Sequence, residues 1–166
     1  MTLETVPAGQ VSDGFGVVIF VPAIANIAAP TALEINAVGS KHLTYSIEAG
    51  GYKHTISVNQ VKINRLTLAQ IIQQDGTVED SLEITYAYNQ TASDVARLAL
   101  PVGTVGFIVE RWAIGNGTAI AAADVVHVIP IKASVQKPDA PVANQELTIT
   151  QALNVTGTVQ RFVSVA

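Results

Sequence analysis

Three histidines, His42, His54 and His127, are the side chains best suited to acid–base or metal chemistry, and none stands at a ligand spacing from another. His42 and His54 would meet across a hairpin turning at Gly50-Gly51, where a nearby carboxylate would complete a weak metal site. A half-exposed strand histidine is the preferred reading of each. Glu79, Asp80 and Glu83 resemble paired carboxylates, but acid–base work needs a partner held in a pocket, and a solvated strand start is the simpler reading. Gly14-Phe-Gly16 and Gly103-Thr-Val-Gly106 lack the spacing and strand–helix setting of a phosphate loop. No Gly-x-Ser-x-Gly elbow is present. Trp112 beside Arg111 would suit cation–π capture of a ligand, yet a lone strand tryptophan more often anchors a core or an interface. No catalytic, cofactor-binding or metal residue is expected, and an enzyme is not expected.

Composition narrows the classes further. The chain has 166 residues, the length of one domain with room for a sizeable core. Hydrophobic residues make up 49% and charged residues only 13%, about half of the usual ~25%. Either an Ala- and Val-rich composition inflates the apolar count, or copies of the chain cover much of its surface. A net charge of −4 argues against a protein that grips nucleic acid. There is no cysteine, hence no disulfide and no thiolate metal site. The apolar run from Phe15 to Ala29 is broken by Pro22 and Asn26 and is too short for a bilayer, so neither a signal peptide nor a membrane span is expected. Three sequons, at Asn89, Asn116 and Asn154, are read as chance.

The elements follow from periodicity. Residues 1–13 read as an extended arm, and 14–166 as one β domain. Phe15–Val21 is a strand ended by Pro22. Thr31–Ala37 is one helical turn or a loop. His42–Glu48 and the strand after Gly50-Gly51 form a hairpin. Asn59–Asp80 holds no single period and turns at Asp75-Gly76. In Ser81–Tyr88, Leu82, Ile84, Tyr86 and Tyr88 alternate with polar or small residues, a half-buried strand. Thr91 and Asp94 suit a capping box, opening a helix over Ser93–Leu100 with Val95, Leu98 and Ala99 inward. Pro101 and Gly103 stop it. Thr104–Ala113 is apolar on both faces, so something must cover both. Asp124–Lys137 is a long strand in which Pro130 requires an edge or a bulge. Glu146–Val155 and Thr158–Val165 complete a mainly β antiparallel sandwich or barrel with one short packed α-helix.

Two phrases carry a resemblance. Strand, short helix, the turn PVGTVGF and then IVERW, ending at Trp112, are similar to the major tail protein, or tail tube protein, of long-tailed phages with non-contractile tails. So is Ala29-Pro30-Thr31-Ala32-Leu33-Glu34-Ile35-Asn36-Ala37 followed by His42-Leu-Thr-Tyr45. The likeness spans most of residues 14–165. It implies a virion structural protein, made in the host cytoplasm and residing in the tail, whose hexameric rings stack into the tube through which DNA is ejected. Tape measure protein and tail tip or terminator proteins are the implied partners, together with transient, non-sequence-specific DNA passage and no membrane.

On that resemblance Asn59–Asp80 reaches a neighbouring subunit, as do the N-terminal arm and the last strand. Ile71, Ile72 and Trp112 are the expected interface residues, and Glu83 and Glu110 the expected lumen-facing ones. Six copies at −4 each would carry −24, repelling DNA from the bore. The alternative is a monomeric β-sandwich ligand- or carbohydrate-binding module, with Trp112 and the tyrosines as a stacking platform. Aromatic residues amount to only 5%, which weighs against it.

Overall fold

The strands that are apolar at almost every position form the middle of the molecule, and those that alternate form its outer wall. The computed structural model describes residues 8–67 and 69–166. In chain order the elements are β1 (Gly16–Val21), α1 (Ala32–Ile35), β2 (Lys41–His42), β3 (Ile47–Ile63), β4 (Ile72–Ala87) and α2 (Val95–Ala99). β5 (Val105–Trp112), β6 (Val125–Ala133), β7 (Lys137–Pro138), β8 (Thr148–Val155) and β9 (Gln160–Ser164) follow. They make one antiparallel sheet in the order β2-β1-β5-β6-β8-β4-β3, with β7 on β8 and β9 on β6. Of the arm expected over 1–13, residues 1–7 lie outside the described residues, and 8–13 carry neither helix nor strand.

Two cores sit on opposite faces of β1, β5 and β6, the covering that the sequence of β5 requires. One joins Val18, Phe20, Ile108, Ile129 and Ile131 to Leu82, Ile84 and Tyr86 of β4 and Ile149 and Leu153 of β8. The sheet therefore folds over on itself as a sandwich. The other core gathers Val17, Ile19, Val21, Val109, Val126 and Val128 under Ile35 of α1, Ile24, Ile120 and Val165. Pro130 fits in β6 without breaking it. Its carbonyl accepts from Thr156 N at 3.0 Å, so its missing N–H lies on that same edge. There the pairing passes from β9, last at Val128, to β8, first at Ile131.

Both glycine turns read from the sequence are β-bulges instead. β3 runs straight through Gly50-Gly51, with a register shift between Ile47 and Tyr52. Gly50 takes φ +76°, and a Cβ on Gly51 would lie 2.5 Å from the Thr85 carbonyl oxygen. Asp75 pairs with Gln60 inside the β3–β4 ladder, beside a second shift between Val58 and Gln60. A Cβ on Gly76 would lie 2.7 Å from the Asn59 oxygen. Glycine is needed at both places for close backbone approach, which a turn and a bulge share as a local signal.

The helices differ from expectation as well. Thr31–Ala37 resolves into the single turn α1, closed by a capping box: Thr31 Oγ1 accepts from Glu34 N, and the Glu34 carboxylate accepts from Thr31 N. Backbone N–H groups of Ala25 and Thr31 on that carboxylate hold its pKa below the usual value. No such box closes α2. Asp94 is its N-cap with no side-chain cap, and Thr91 Oγ1 accepts from Ser93 N. Ala96 and Leu100 face the core, while Leu98 is 52% exposed and Val95 and Ala99 are only half-buried. With one turn, the ends decide the facing. Asp94 is buried and bound to Arg97 at 2.6 Å, and the Leu100 carbonyl accepts from Gln136 and Gln151.

Two pairs of substitutions test these assignments by thermal or urea unfolding. Thr31→Ala is expected to lose about 1 kcal/mol, and Thr91→Ala to stay within about 0.5 kcal/mol of the parent. Gly51→Ala is expected to destabilise the whole domain by about 1–3 kcal/mol, as overpacking does. Gly76→Ala should loosen only its own hairpin and leave the midpoint near that of the parent. Equal losses in either pair would contradict the placement.

Candidate assembly surface

Beyond Thr55 the β3–β4 hairpin leaves the body. From Thr55 to Glu79 every described side chain is exposed save the half-buried Ile63. β4 pairs with β8 only from Leu82 to Ala87, so from Ile72 to Ser81 its second edge has no partner among the described residues. β3 is terminal in the sheet, so among the described residues its outer edge is open as well. Where β4 parts from β8, a groove of about 660 Å³ opens between Val78–Asp80 and Val155–Arg161. The arm carries Ile56, Val58, Val61, Ile71, Ile72 and Val78 into solvent. On β3 these apolar residues hold even positions up to Val58 and odd ones from Val61. The bulge at Gly76 lies at that change, so the apolar side moves from one face of the hairpin to the other. That is why Asn59–Asp80 shows no single period.

At its base the arm is fastened by polar side chains from four strands. Tyr52, His54 and Asp80 share the inward face of the hairpin. Tyr52 donates to Glu110 Oε1, and Trp112 Nε1 donates to Glu110 Oε2 at 3.2 Å. His54 Nδ1 lies 3.0 Å from Glu110 Oε1 and its Nε2 lies 3.0 Å from Asp80 Oδ1. Arg161 donates to the same Asp80 oxygen. Burial raises the Asp80 pKa, but the bonds and charges of Arg161 and His54 outweigh it and hold the carboxyl below its usual value. Tyr52 moves well above the ordinary phenol range, first through burial and then through the Glu110 charge and hydrogen bond. A bulge in β9 aims Arg161 inward: Arg161 and Phe162 together face His127, and Phe162 takes φ +54° with its ring edge-on to that histidine at 4.6 Å. Such a conformation costs of order 1–3 kcal/mol for a bulky residue.

The other face of the same strands is polar and small. Cross-strand partners place Glu79, Ser81, Glu83 and Thr85 of β4 beside Ser57, Thr55 and Lys53 of β3 and Ala152 and Thr150 of β8. Lys53 binds Glu83 at 2.9 Å. Asp139 accepts from Thr148 and Thr150 at 2.9 Å each. Lys137 pairs with Thr150 and Lys132 with Asn154 on this face. Three acids, Glu79, Glu83 and Asp139, thus balance three lysines, Lys53, Lys132 and Lys137.

The expected site residues scatter over these features. Ile71 and Ile72, each 51% exposed, stand at the tip of the arm, and Trp112 is 46% exposed at the end of β5. Glu83 reaches the polar face. Glu110 does not reach a surface of the subunit: it is 3% exposed, because it lies on the face of β5 that the arm's base covers. Buried there, Glu110 does not face a lumen as its sequence position suggests. Arg111, fully buried, points to the opposite face from Trp112, so the two do not form a cation–π pair. It donates to Asp124 at 2.8 Å and to the carbonyls of Gly115, Thr118 and Ala119. His42 and His54 are on strands at opposite ends of the sheet order, and no hairpin joins them. The acidic run is divided, Asp80 inward and Glu79 and Glu83 outward. Among the tyrosines Tyr52 meets Trp112, edge-on at 6.0 Å, while Tyr86 is buried and Tyr45 is exposed elsewhere. Among the described residues no group of three His, Cys, Asp or Glu is placed to hold a metal. The sequence did carry one signal for the polar cluster: Glu110 and Arg111 lie inside a strand that is apolar on both faces, and charges there must be partnered.

Comparison with known proteins agrees with this architecture. No curated protein matched the chain. A chain of the anti-feeding prophage baseplate, determined by electron cryo-microscopy with six-fold symmetry imposed, shares the fold with a TM-score of 0.54 at 14% identity, over 95% of this chain and 98% of that one. A chain of the virion of the native gene transfer agent particle does so with a TM-score of 0.53 at 10% identity, over 95% and 100%. The family model described as phage tail tube protein matches residues 4–166. With nearly its whole length matched, the chain belongs to the phage tail tube protein family, and its place is the virion tail.

Proposed function

We propose that six copies of this chain close into a ring and that rings stack into the tail tube, the conduit through which DNA leaves the particle. One observation carries the reading: a hairpin arm with two open edges and apolar side chains on both faces has no use in an isolated subunit. Open edges are templates for strand pairing with another chain, and an isolated two-stranded hairpin is marginal in water. Neighbouring copies are the occupants that the family provides. The number six follows the symmetry imposed on the anti-feeding prophage baseplate, one of whose chains has this fold. The change of apolar face at Gly76 suits two contacts, one near the base through Ile56, Val58 and Val78 and one near the tip through Ile71 and Ile72. Trp112 is assigned to the lateral contact between subunits.

The polar face of β3, β4 and β8 is the candidate lumen, with Glu83 on it. Its hydroxyl-rich, charge-balanced surface replaces the repulsive bore inferred from net charge. DNA would slide there because no cationic stripe holds phosphate, and not because six copies at −4 push it away. Tape measure, tail tip and terminator proteins remain the proposed partners at the ends and interior of the tube.

Electron microscopy of concentrated protein tests the assembly, with hollow rings or tubes expected. Ile72→Asp is expected to abolish them while the melting temperature of the dispersed subunit stays within about 2 °C of the parent, since a half-exposed tip residue contributes little to the core. Persistent monomers of the parent across salt and concentration would refute the reading. A collapsed melting temperature for Ile72→Asp would place the tip in the subunit's own core. Cleavage near Lys62 or Arg65 should be fast in subunits and suppressed in tubes.

A further inference from the structure

The arm's base contains an arrangement that a purely structural fastening would not need. His54 presents both ring nitrogens to carboxyl oxygens, Glu110 Oε1 and Asp80 Oδ1, each at 3.0 Å. An ionised carboxylate only accepts, and a neutral imidazole has one N–H. While both carboxyls are ionised, both bonds form together only when the ring carries two protons. Arg161 of β9 donates to the same Asp80 oxygen, and Tyr52 of β3 and Trp112 of β5 donate to Glu110, so both carboxyls are held as acceptors against the ring. His127 of β6 faces Glu110 at 3.9 Å, beyond hydrogen-bond reach, with its ring against Phe162. Lys53 points away, to Glu83 on the other face. The side chain of His54 is 10% exposed, so water does not readily replace a lost partner.

We propose that His54 is a protonation-dependent clasp, fixing the arm to the body while doubly protonated and freeing it when one ring proton is lost. Raising the pH removes that proton, and a nitrogen lone pair then faces a carboxylate. One of the two links, to β5 or across the hairpin to Asp80, becomes repulsive. Beyond this point every described side chain of the arm is exposed save the half-buried Ile63, so the clasp sets both the angle and the mobility of the projection. The same subunit thereby presents a set arm with the ring doubly protonated and a loose one with it singly protonated. The clasp is a property of the single chain and does not rest on ring formation.

Amide hydrogen exchange on the full-length dispersed protein, at pH 6.0 and 8.5 and corrected for intrinsic rates, tests this. Exchange in residues 55–63 and 72–79 is expected to rise about tenfold at the higher pH, as the loss of one charge-assisted hydrogen bond implies. The β5 and β6 amides should keep their protection. His54→Gln should show the fast exchange already at pH 6.0 with no further rise, and His127→Gln should retain the parental response. Should His54→Gln fail to fold, the ring 15N shifts of His54 in the parent decide: two protonated nitrogens at pH 6.0 and one at 8.5 support the clasp. A bare nitrogen at pH 6.0, an arm indifferent to pH, or a response lost in His127→Gln would each overturn it.

Discussion

The Glu110 carboxyl group is the point on which the outer half of this molecule depends. Burying a charge costs several kcal/mol unless donors replace its water. Here the donors come from elsewhere in the sheet: Tyr52 and His54 of β3, with Trp112 two residues along β5. Satisfying one carboxyl therefore draws the terminal strand of the sheet back over its middle. Asp80 and Arg161 extend the same lattice to β4 and β9. The hydrophobic core beneath takes only the partly buried Ile47 and Tyr52 from β3, so the arrival of these donors helps to fix the register of that strand.

From that anchor the arm projects with little of its own to hold it. Two strands with open edges and exposed Ile and Val side chains have no stability of their own to spare. They also invite association. Gly76 changes which side is apolar half-way along, and the two bulges let a hairpin of this length follow a twist that an unbroken ladder would not. An arm of this kind is fixed at one end by polar bonds and at the other only by what it meets. On the proposed assembly, the domain's stability and its association with other copies are set by different residues: the first by the two cores around β1, β5 and β6, the second by side chains that the cores do not touch.

The buried Arg111 plays the corresponding part at the other face. Its guanidinium gathers three carbonyls and Asp124, tying residues 115–124 against the core of Val17, Val109 and Val126. Adjacent residues of one strand, Glu110 and Arg111, thus organise opposite sides of the sandwich, because successive side chains of a strand point to opposite faces. The guanidinium Nε of Arg111 has no partner among the described residues, so the two terminal nitrogens and not the full donor set make the tie.

Periodicity alone established the β class, the alternation of Leu82, Ile84 and Tyr86, the doubly covered β5 and the stop at Pro101 and Gly103. These are local matters, in which each residue's face follows from its neighbours two positions away. The family likeness was legible in the same way, through short phrases around Pro30 and Trp112. What escaped was settled over distance. Gly50-Gly51 and Asp75-Gly76 carry identical local signals whether they turn a chain or bulge a strand, and only the partner strand decides. The face that α2 buries depended on Gln136 and Gln151, more than thirty residues downstream. Glu110 appeared on the sequence as a surface acid, and only the folding-over of β3 and β4 turned it into the buried centre of a polar lattice. Strand identity is written in the spacing of side chains along the chain; register and burial are decided by which strands tertiary packing brings alongside.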